Sequence, residues 1–306
     1  MANRPKVTVV GSFNTDLSVR TPHMPVGGET ILGGPFTTGP GGKGANQAVA
    51  AARLGAEVSM LVKLGLDVFG DLAAQNLVRE GIQPEYILRS AESHTGVAFI
   101  IVDQHGENMI VVASGTNNFL TPEDVERARQ AVCEAQVLLV QLEIPLDTVE
   151  AAVRMAHEAG VKVVLNPAPG QTLSPQLLAL VDVLTPNETE AQIISGLLVE
   201  SMPQAEAAAR RLLQGGVGAV VITLGGKGAL VVTPEVSTHV PGIPVQVVDT
   251  TGAGDAFSGA LAVALAEGKD LVQAAAFANA AAALQVTRPG TAPAMPTREE
   301  VIRLLK

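Results

Sequence analysis

A glycine-rich segment that ends in an aspartate, TTGAGD at residues 250–255, stands directly before a long Ala- and Leu-rich helical pattern. Aspartate is a favoured helix cap and glycines form turns, which gives a purely structural interpretation. The chemical interpretation is that the loop leaves backbone N–H groups free to bind an anion, with Asp255 beside that anion as a base. The segment by itself is compatible with both.

A second glycine-rich segment, PGGKGANQ at residues 40–47, also leads into a helical pattern. Gly41, Gly42 and Gly44 allow the backbone to approach a ligand closely. The segment is not a Walker loop, and no Gly-x-Gly-x-x-Gly turn with a following acidic residue supports a dinucleotide site. Lys43 would offer a positive charge to a transferring phosphoryl group, although a lone lysine is more often simply solvated.

Amide and carboxylate side chains occur close to this second segment. Asn46 lies one turn into the helical pattern, where capping and ligand binding are equally good explanations. Asn14 and Asp16, at the end of the preceding strand pattern, favour ligand binding. Such groups form bidentate hydrogen bonds with vicinal sugar hydroxyls, so a polyhydroxylated ligand is expected here.

Two further loops follow strand patterns near the C-terminal half. The sequence TLGGKGAL at residues 223–230 reads as a plain turn by itself, but its position shortly before Asp255 suggests nucleotide contact. In TPNETEAQ, Asn187 and Glu190 have helix-start spacing. These two residues either begin a helix or bind nucleotide phosphate and orient water around Mg²⁺, and the two interpretations are equally supported.

Short β-branched runs alternate with helical patterns along the chain, which predicts an α/β fold with an open, mostly parallel sheet and helices on both faces. Strands are predicted at 6–12, 58–65, 137–143, 161–167, 181–187 and 220–226. Two segments, residues 12–40 and 96–113, interrupt this alternation of strands and helices. They predict a small antiparallel sheet that acts as a lid, an oligomer contact or both. We expect one domain over residues 1–306.

Bulk properties exclude several classes of protein. The 306-residue chain has a net charge of −10 and no basic cluster, so a nucleic-acid partner is not expected. Cys133 is the only cysteine, which excludes an intrachain disulfide. No apolar run approaches the ~18 residues of a membrane span, and the N-terminus is too short and polar for a signal peptide. A cytoplasmic protein with no membrane partner is expected.

The paired segments GGKGANQAVAAARLG and DTTGAGDAFSGAL resemble the two signatures of the ribokinase family of sugar kinases, the PfkB-type carbohydrate kinases. The resemblance spans nearly the whole chain through GSFNTD, MPVGGET, QLEIP, LNPAPG, LTPNETEA, ITLGGKG and VTRPG. It implies a three-layer α/β/α fold with a β lid and ATP-dependent phosphorylation of a sugar hydroxyl. Three of the motifs, GSFNTD, MPVGGET and QLEIP, narrow the implied reaction to the 5-hydroxyl of D-ribose.

The resemblance also implies roles for matching residues. Asp255 matches the catalytic base, and Thr251, Gly252, Ala253 and Gly254 match the anion hole. The sugar contacts would be Asn14, Asp16, Gly42, Lys43, Asn46 and Glu143. The ATP contacts would be Asn187, Thr223, Gly225, Gly226, Gly228, Gly254 and Asn279.

Two cations are implied as well. An activating K⁺ would lie on the loops that contain Asp249, Thr251, Gln285, Arg288 and Gly290. Mg²⁺ would be oriented by Glu190 through water. The chain departs from the family pattern at Ala294, where a hydroxyl residue is common, so the K⁺ shell is expected to lack that oxygen or to use water in its place. A homodimer through the β lid is also implied.

Other functions remain open at this point. Another kinase of the family would act on deoxyribose, fructose, ketodeoxygluconate or a nucleoside, although one Tyr and no Trp make base stacking less easy. A sugar-binding regulator would keep the fold without catalysis, but it would need neither Lys43 nor Asp255. A nicotinamide oxidoreductase is weakened by the missing fingerprint.

Overall fold

A computed structural model describes residues 4–306, which form a large sheet, a small sheet and helices on both faces of the large one. In the described residues the large sheet has nine strands. Their order is β13 (Ser237–Pro241), β12 (Gly228–Val232), β11 (Ala219–Thr223), β10 (Val183–Leu184), β9 (Lys162–Leu165), β8 (Val137–Val140), β1 (Lys6–Val10), β4 (Glu57–Gly65) and β5 (Ile87–Ser90). The strands from β11 to β5 are parallel, and β12 and β13 are antiparallel additions.

The predicted α/β fold is confirmed, and burial explains the strand sequences. All four residues of β8, Val-Leu-Leu-Val, are buried, as expected for a strand covered on both faces. Alternate residues of this strand enter different cores, with Val137 and Leu139 in one and Leu138 and Val140 in the other. The strand predicted at 181–187 is shorter in the structure and contains only Val183–Leu184.

Eleven α-helices cover the large sheet within residues 4–306. They are α1 (Lys43–Arg53), α2 (Val68–Arg79), α3 (Pro122–Arg127), α4 (Arg129–Glu134), α5 (Leu146–Glu158), α6 (Pro175–Leu178), α7 (Glu188–Ser195), α8 (Met202–Gln214), α9 (Ala253–Ala266), α10 (Leu271–Gln285) and α11 (Arg298–Leu304). Helices α1, α2, α9 and α10 contribute to one core, and α3, α5 and α8 to the other. None of the helices in this part of the chain is long and apolar enough to span a bilayer.

The small sheet is built from the two segments that interrupt the alternating pattern. Its order is β3 (Phe36–Gly41), β2 (Asn14–Arg20), β6 (Gly96–Val102) and β7 (Asn108–Ala113). The pairs β2–β3 and β6–β7 are antiparallel, and a parallel pairing from Asn14 opposite Gly96 to Arg20 opposite Val102 joins them. Asn14 and Asp16 therefore belong to the small sheet. Asp255 lies in α9 and belongs to the large sheet with its covering helices (the large unit).

Candidate active site

Asp255 lies in the first turn of α9 and is only 6% exposed. Its Oδ2 accepts a hydrogen bond from Asn46 Nδ2 at 2.9 Å, and its Oδ1 accepts one from Gln47 Nε2 at 3.0 Å. Neither oxygen caps the helix, because the start of α9 has no side-chain capping bond. The capping interpretation of Asp255 is therefore wrong: α1 fixes both oxygens of the carboxylate instead.

The loop before α9 presents backbone amides at the helix N-terminus. Gly252 has φ 87°, a left-handed conformation that favours glycine, and it is the residue before α9. Within residues 4–306, the amides of Gly252 and Gly254 have no backbone acceptor, whereas that of Ala253 donates to Thr250 O at 3.2 Å. The free amides at a helix start give this loop the positive potential that attracts an anion.

A polar cavity of about 150 Å³ adjoins these groups. Its lining includes Gly252, Ala253, Gly254 and Asp255 from the start of α9, and Lys43 from the start of α1. From the other side it is lined by Asn166, Thr185, Asn187 and Thr223, which follow or end strands β9, β10 and β11, and by Glu190 in the first turn of α7. This is the carboxyl edge of the parallel strands, where open α/β sheets bind ligands.

Glu143 fixes the loop that carries Lys43. Its Oε2 accepts hydrogen bonds from Ser12 Oγ at 2.5 Å and from Lys43 N at 2.9 Å. Gly42 has φ 86°, and a Cβ there would come within 2.6 Å of Asn14 N, so only glycine fits. The structure thus assigns Glu143 and Gly42 a structural role beside the sugar contact that the resemblance implies.

The sugar-contact candidates on the small sheet have partners of their own. Asn14 Oδ1 accepts a hydrogen bond from Asn117 Nδ2 at 2.9 Å, and Thr291 Oγ1 lies 3.4 Å from Asp16 Oδ2. Among the described residues, Asn46 Oδ1 is buried and has no partner. A ligand hydroxyl would satisfy this oxygen, because an unpaired buried acceptor is costly.

Nearby carboxylates raise the pKa of Lys43, and burial raises the pKa of Asp16. The Asp255 carboxylate is the main cause of a raised pKa at Lys43, assisted by Glu143 and Glu190 against the opposing effect of burial. Burial raises the pKa of Asp16 to about 7, opposed by the Thr291 hydrogen bond and assisted by Glu143 and Asp255. Lys43 is therefore held in its cationic form beside three carboxylates.

The nucleotide-contact candidates are only partly gathered at this cavity. Asn187 is the N-cap of α7, with its Oδ1 accepting from Glu190 N at 2.8 Å, while Glu190 Oε2 accepts from Asn187 N at 2.9 Å. This capping box shows that the helix-start interpretation of the pair is correct, and both residues also line the cavity. Burial is the main cause of a raised pKa at Glu190.

The glycine turn after β11 and Asn279 lie outside the cavity lining. Gly225 and Gly226 are exposed, while Gly228 is buried with φ 98°. Asn279 Nδ2 donates to Val240 O at 3.1 Å and Pro241 O at 3.2 Å, which attaches α10 to β13. The amide nitrogen of Asn279 is therefore already bonded within the protein.

The residues expected around K⁺ come together, but not as a shell of free oxygens. Asp249 accepts from the amides of Thr251 and Gly290, each at 2.9 Å. The Gln285 amide nitrogen donates to the carbonyl oxygens of Thr251 and Gly290. Arg288 turns its side chain to Glu300. A cation at these two carbonyls would have to displace the Gln285 amide, so the residues present do not fit it.

Several residues that shape the site were missed in the sequence. Gln47 Nε2 also donates to Asn166 Oδ1 at 3.0 Å, and Gln47 Oε1 accepts from Gln141 Nε2 at 2.6 Å. Gln47 and Gln141 are both fully buried. The sequence contained a signal for Gln47, because an amide side chain inside an Ala-rich helical pattern is as unusual at Gln47 as at the adjacent Asn46.

Residues 4–298 match the model of the pfkB family carbohydrate kinase, and the chain belongs to that family. Among its relatives is the ribokinase of Haemophilus influenzae, 44% identical over 99% of both chains. The deoxyribokinase of Salmonella typhi is 40% identical over 96% of both. The structure of Arabidopsis thaliana ribokinase complexed with ribose and ATP superimposes with a TM-score of 0.94, at 36% identity and 99% coverage of both chains. The predicted resemblance and the predicted carbohydrate kinase class are thereby confirmed.

Proposed function

We propose that this protein transfers the γ-phosphoryl group of ATP to the 5-hydroxyl of D-ribose, which produces ribose 5-phosphate and ADP. The observation that carries the proposal is the Asp255 carboxylate, buried at the start of α9 and fixed by Asn46 and Gln47, with Lys43 on the same cavity. A carboxylate, a cation and free helix amides together are the groups that phosphoryl transfer requires. Relatives named for ribokinase activity support ribose as the acceptor.

In this proposal the sugar is bound by groups from the small sheet and from helix α1. The unpartnered Asn46 Oδ1 accepts a hydrogen bond from a sugar hydroxyl. Asp16, whose pKa is raised to about 7, accepts or donates a hydrogen bond according to its protonation. Since Asp16 lies on β2 and Asn46 on α1, ribose would fix the small sheet against the large unit.

The chemical step is a direct displacement at phosphorus. The 5-oxygen forms a bond to the γ-phosphorus while the bond from that phosphorus to the β,γ-bridging oxygen breaks, and its electron pair leaves with ADP. Asp255 takes the proton of the 5-hydroxyl during the transfer. The amides of Gly252 and Gly254 and the Lys43 ammonium stabilise the negative charge on the transferring group.

The proposed cofactors are ATP and Mg²⁺. The donors are suitable for Mg²⁺, because the Glu190 carboxylate lines the cavity with Asn187 and Thr223, and Mg²⁺ prefers oxygen ligands while keeping several waters. Mg²⁺ supplies charge neutralisation at the β- and γ-phosphates when bound. ATP would extend toward the turn at Gly225–Gly228 and toward Asn279. K⁺ would have to displace the Gln285 amide.

We also propose that residues 4–306 act as one catalytic unit, in which the small sheet is a lid and a dimer contact. Residues of β6 and β7 that face away from Asp16 include Phe99, Met109 and Val111, which are 51%, 51% and 63% exposed. An apolar face of this kind is typical of an interface. A second copy of the chain is the proposed occupant, and ATP as a substrate suggests a cytoplasmic location.

The dimer is tested by sedimentation velocity of the wild type and of Phe99→Glu and Val111→Lys. The wild type should sediment as a dimer and both variants as monomers, because a buried unpaired charge opposes association. Lys227→Glu, an exposed change on the large unit, serves as the control. A wild type that remains monomeric at high concentration contradicts the dimer.

The reaction is tested by a coupled assay of ADP release with ATP and Mg²⁺ against ribose, 2-deoxyribose, fructose, adenosine and ketodeoxygluconate. Ribose should give the highest kcat/KM. The deoxyribokinase relative makes 2-deoxyribose the second candidate, and a preference for it would keep the mechanism and change the substrate. Ribose binding by calorimetry without turnover on any acceptor would instead identify a sugar-binding regulator.

A further inference from the structure

Two loops meet behind the anion-binding amides, one before α9 and the other after α10. Val248 N and Asp249 N donate to Val286 O at 2.7 and 3.2 Å. Asp249 joins the loops again, because its two carboxylate oxygens accept from Thr251 N and Gly290 N. These bonds leave the carbonyl oxygens of Thr251 and Gly290 in need of a donor or a cation.

The last residue of α10 supplies that donor. Gln285 is fully buried, and its Nε2 donates to Thr251 O at 2.5 Å and to Gly290 O at 2.9 Å. The reverse orientation of the amide would bring Oε1 against both carbonyl oxygens, which is repulsive. Among the described residues, Oε1 has no partner, so the two donor bonds determine the orientation.

The oxygen set that a monovalent cation would need is incomplete around this amide. Residue 294 is alanine and contributes no side-chain oxygen. The Arg288 side chain is itself a cation and pairs with Glu300. The carbonyl oxygens of Thr251 and Gly290 are already bonded to the Gln285 amide. The hydrogens of the Gln285 amide provide partial positive charge where a cation would provide a full one.

The Gln285 side-chain amide, which donates to Thr251 O, orients the Gly252 N–H through the peptide unit that joins Thr251 and Gly252. The carbonyl of Thr251 and the N–H of Gly252 belong to the same planar trans peptide, so they point in opposite directions. Holding Thr251 O toward Gln285 therefore directs the Gly252 N–H to the other side. Gly252 lines the cavity beside Asp255, and its amide has no backbone acceptor within residues 4–306.

We propose that the Gln285 side-chain amide replaces an activating monovalent cation, so that the anion hole of this kinase is set without K⁺. Gln285 is a positioning residue, because it acts through the Thr251–Gly252 peptide. The inference rests on the proposed kinase reaction for its catalytic consequence, but the replacement of a cation by an amide is a property of the folded chain alone.

The experiment compares KCl with tetramethylammonium chloride at equal ionic strength and uses two readouts. Wild-type turnover of ribose and ATP should agree within about twofold in the two salts. The midpoint of thermal unfolding of the wild type, without substrates, should also be the same in both, because a bound cation would raise it by mass action.

Gln285→Ala should convert the protein to a cation-dependent one. Without the amide the two carbonyls lack a donor, so turnover in tetramethylammonium should fall by about tenfold, as for loss of an outer-shell partner. KCl should restore turnover and raise the unfolding midpoint in a saturable way. Gln285→Glu serves if the alanine variant does not fold, since a carboxylate beside two carbonyl oxygens should make the unfolding midpoint depend on KCl.

Gln136→Ala is the matched control, because Gln136 Nε2 also donates to a backbone carbonyl, that of Ala266, away from the site. It should show no response to KCl. A saturable rise of wild-type turnover and unfolding midpoint with KCl would overturn the proposal, as would a Gln285→Ala variant with full turnover in both salts. Absence of ribose turnover in every salt would refute the proposed reaction instead and leave the unfolding midpoints to decide the cation question.

Discussion

The proposed base end and the proposed nucleotide end of the site differ in how many of their polar groups are already bonded within the protein. At the base end, Asp255, Asn46 and Gln47 are nearly fully buried and joined across α9 and α1. At the nucleotide end, Gly225 and Gly226 are exposed, and Asn187 and Glu190 bond mainly to each other.

This contrast corresponds to different demands on the two ends. At the proposed base end, charge would develop during phosphoryl transfer, and preorganised groups would stabilise it without reorganisation at the moment of reaction. The proposed nucleotide end would have to admit ATP and release ADP, and an exposed glycine turn is suited to both. Substitutions at the base end should therefore lower kcat, and those at the nucleotide end should raise KM for ATP.

The largest effect is expected at the base. Asp255→Asn should lower kcat by ~10³-fold, within the range of general-base contributions, because an amide cannot accept the proton. Ribose binding, measured by calorimetry, should change far less. Asp270→Asn, at the N-cap of α10, is the matched control and should keep wild-type turnover. Undiminished turnover of Asp255→Asn would remove Asp255 from the role of base.

Gln47 tests whether the network behind the base matters. Gln47→Leu keeps the volume but removes the donor to Asp255 and the acceptor of Gln141. Without that donor the Asp255 carboxylate can change its rotamer. This should lower kcat by about 10- to 100-fold, as for loss of other outer-shell partners, with KM for ATP nearly unchanged. Steady-state kinetics of the folded variant measures this split.

The exposed Gln273→Leu provides the control for Gln47→Leu. A loss confined to KM for ATP, with kcat intact, would contradict the contrast between the two ends.

Asn187 tests the nucleotide end. Asn187→Ala should raise KM for ATP by about tenfold, with a smaller change in kcat, and lower the free energy of unfolding by ~1 kcal/mol through loss of the helix cap. Thr297→Ala removes the equivalent capping box of α11 and should show the stability loss with unchanged kinetics. Equal KM values for the two variants would mean that Asn187 is only a cap.

The last prediction concerns the pH dependence of stability and Asp16. The pKa of Asp16 is raised from 3.8 to about 7, chiefly by burial, so between these values the folded protein holds a proton that the unfolded chain has lost. Stability therefore falls as pH rises through this window, and Asp16→Asn should remove that part of the fall. Urea unfolding of both proteins at about pH 5 and about pH 8 measures the difference.

The exposed Asp147→Asn should keep the wild-type pH dependence. An Asp16→Asn variant with the same pH dependence as the wild type would contradict a raised pKa at Asp16.

Local sequence pattern predicted much of the fold, because strands buried on both faces and amphipathic helices have distinct periodicities. The parallel pairing of β2 with β6 was not predictable, since Asn14 and Gly96 meet only through the tertiary arrangement. Motifs predicted Asp255, Lys43 and Asn46 as site residues, and the fold brings them close together. They did not show that Gln285 would direct its amide to Thr251 O, because the two residues are brought together only by the packing of α10 against α9.

The bond between Asn46 and Asp255 joins residues 209 positions apart. At ~5–20 residues per second, a ribosome needs about 10 to 40 s to synthesise the intervening chain. During that interval β1 can pair with β4 but waits for β8, and Asn46 and Gln47 have no carboxylate to hold. Catalytic competence is therefore among the last properties that a growing chain acquires, so unfinished chains lack the complete site needed to consume ATP.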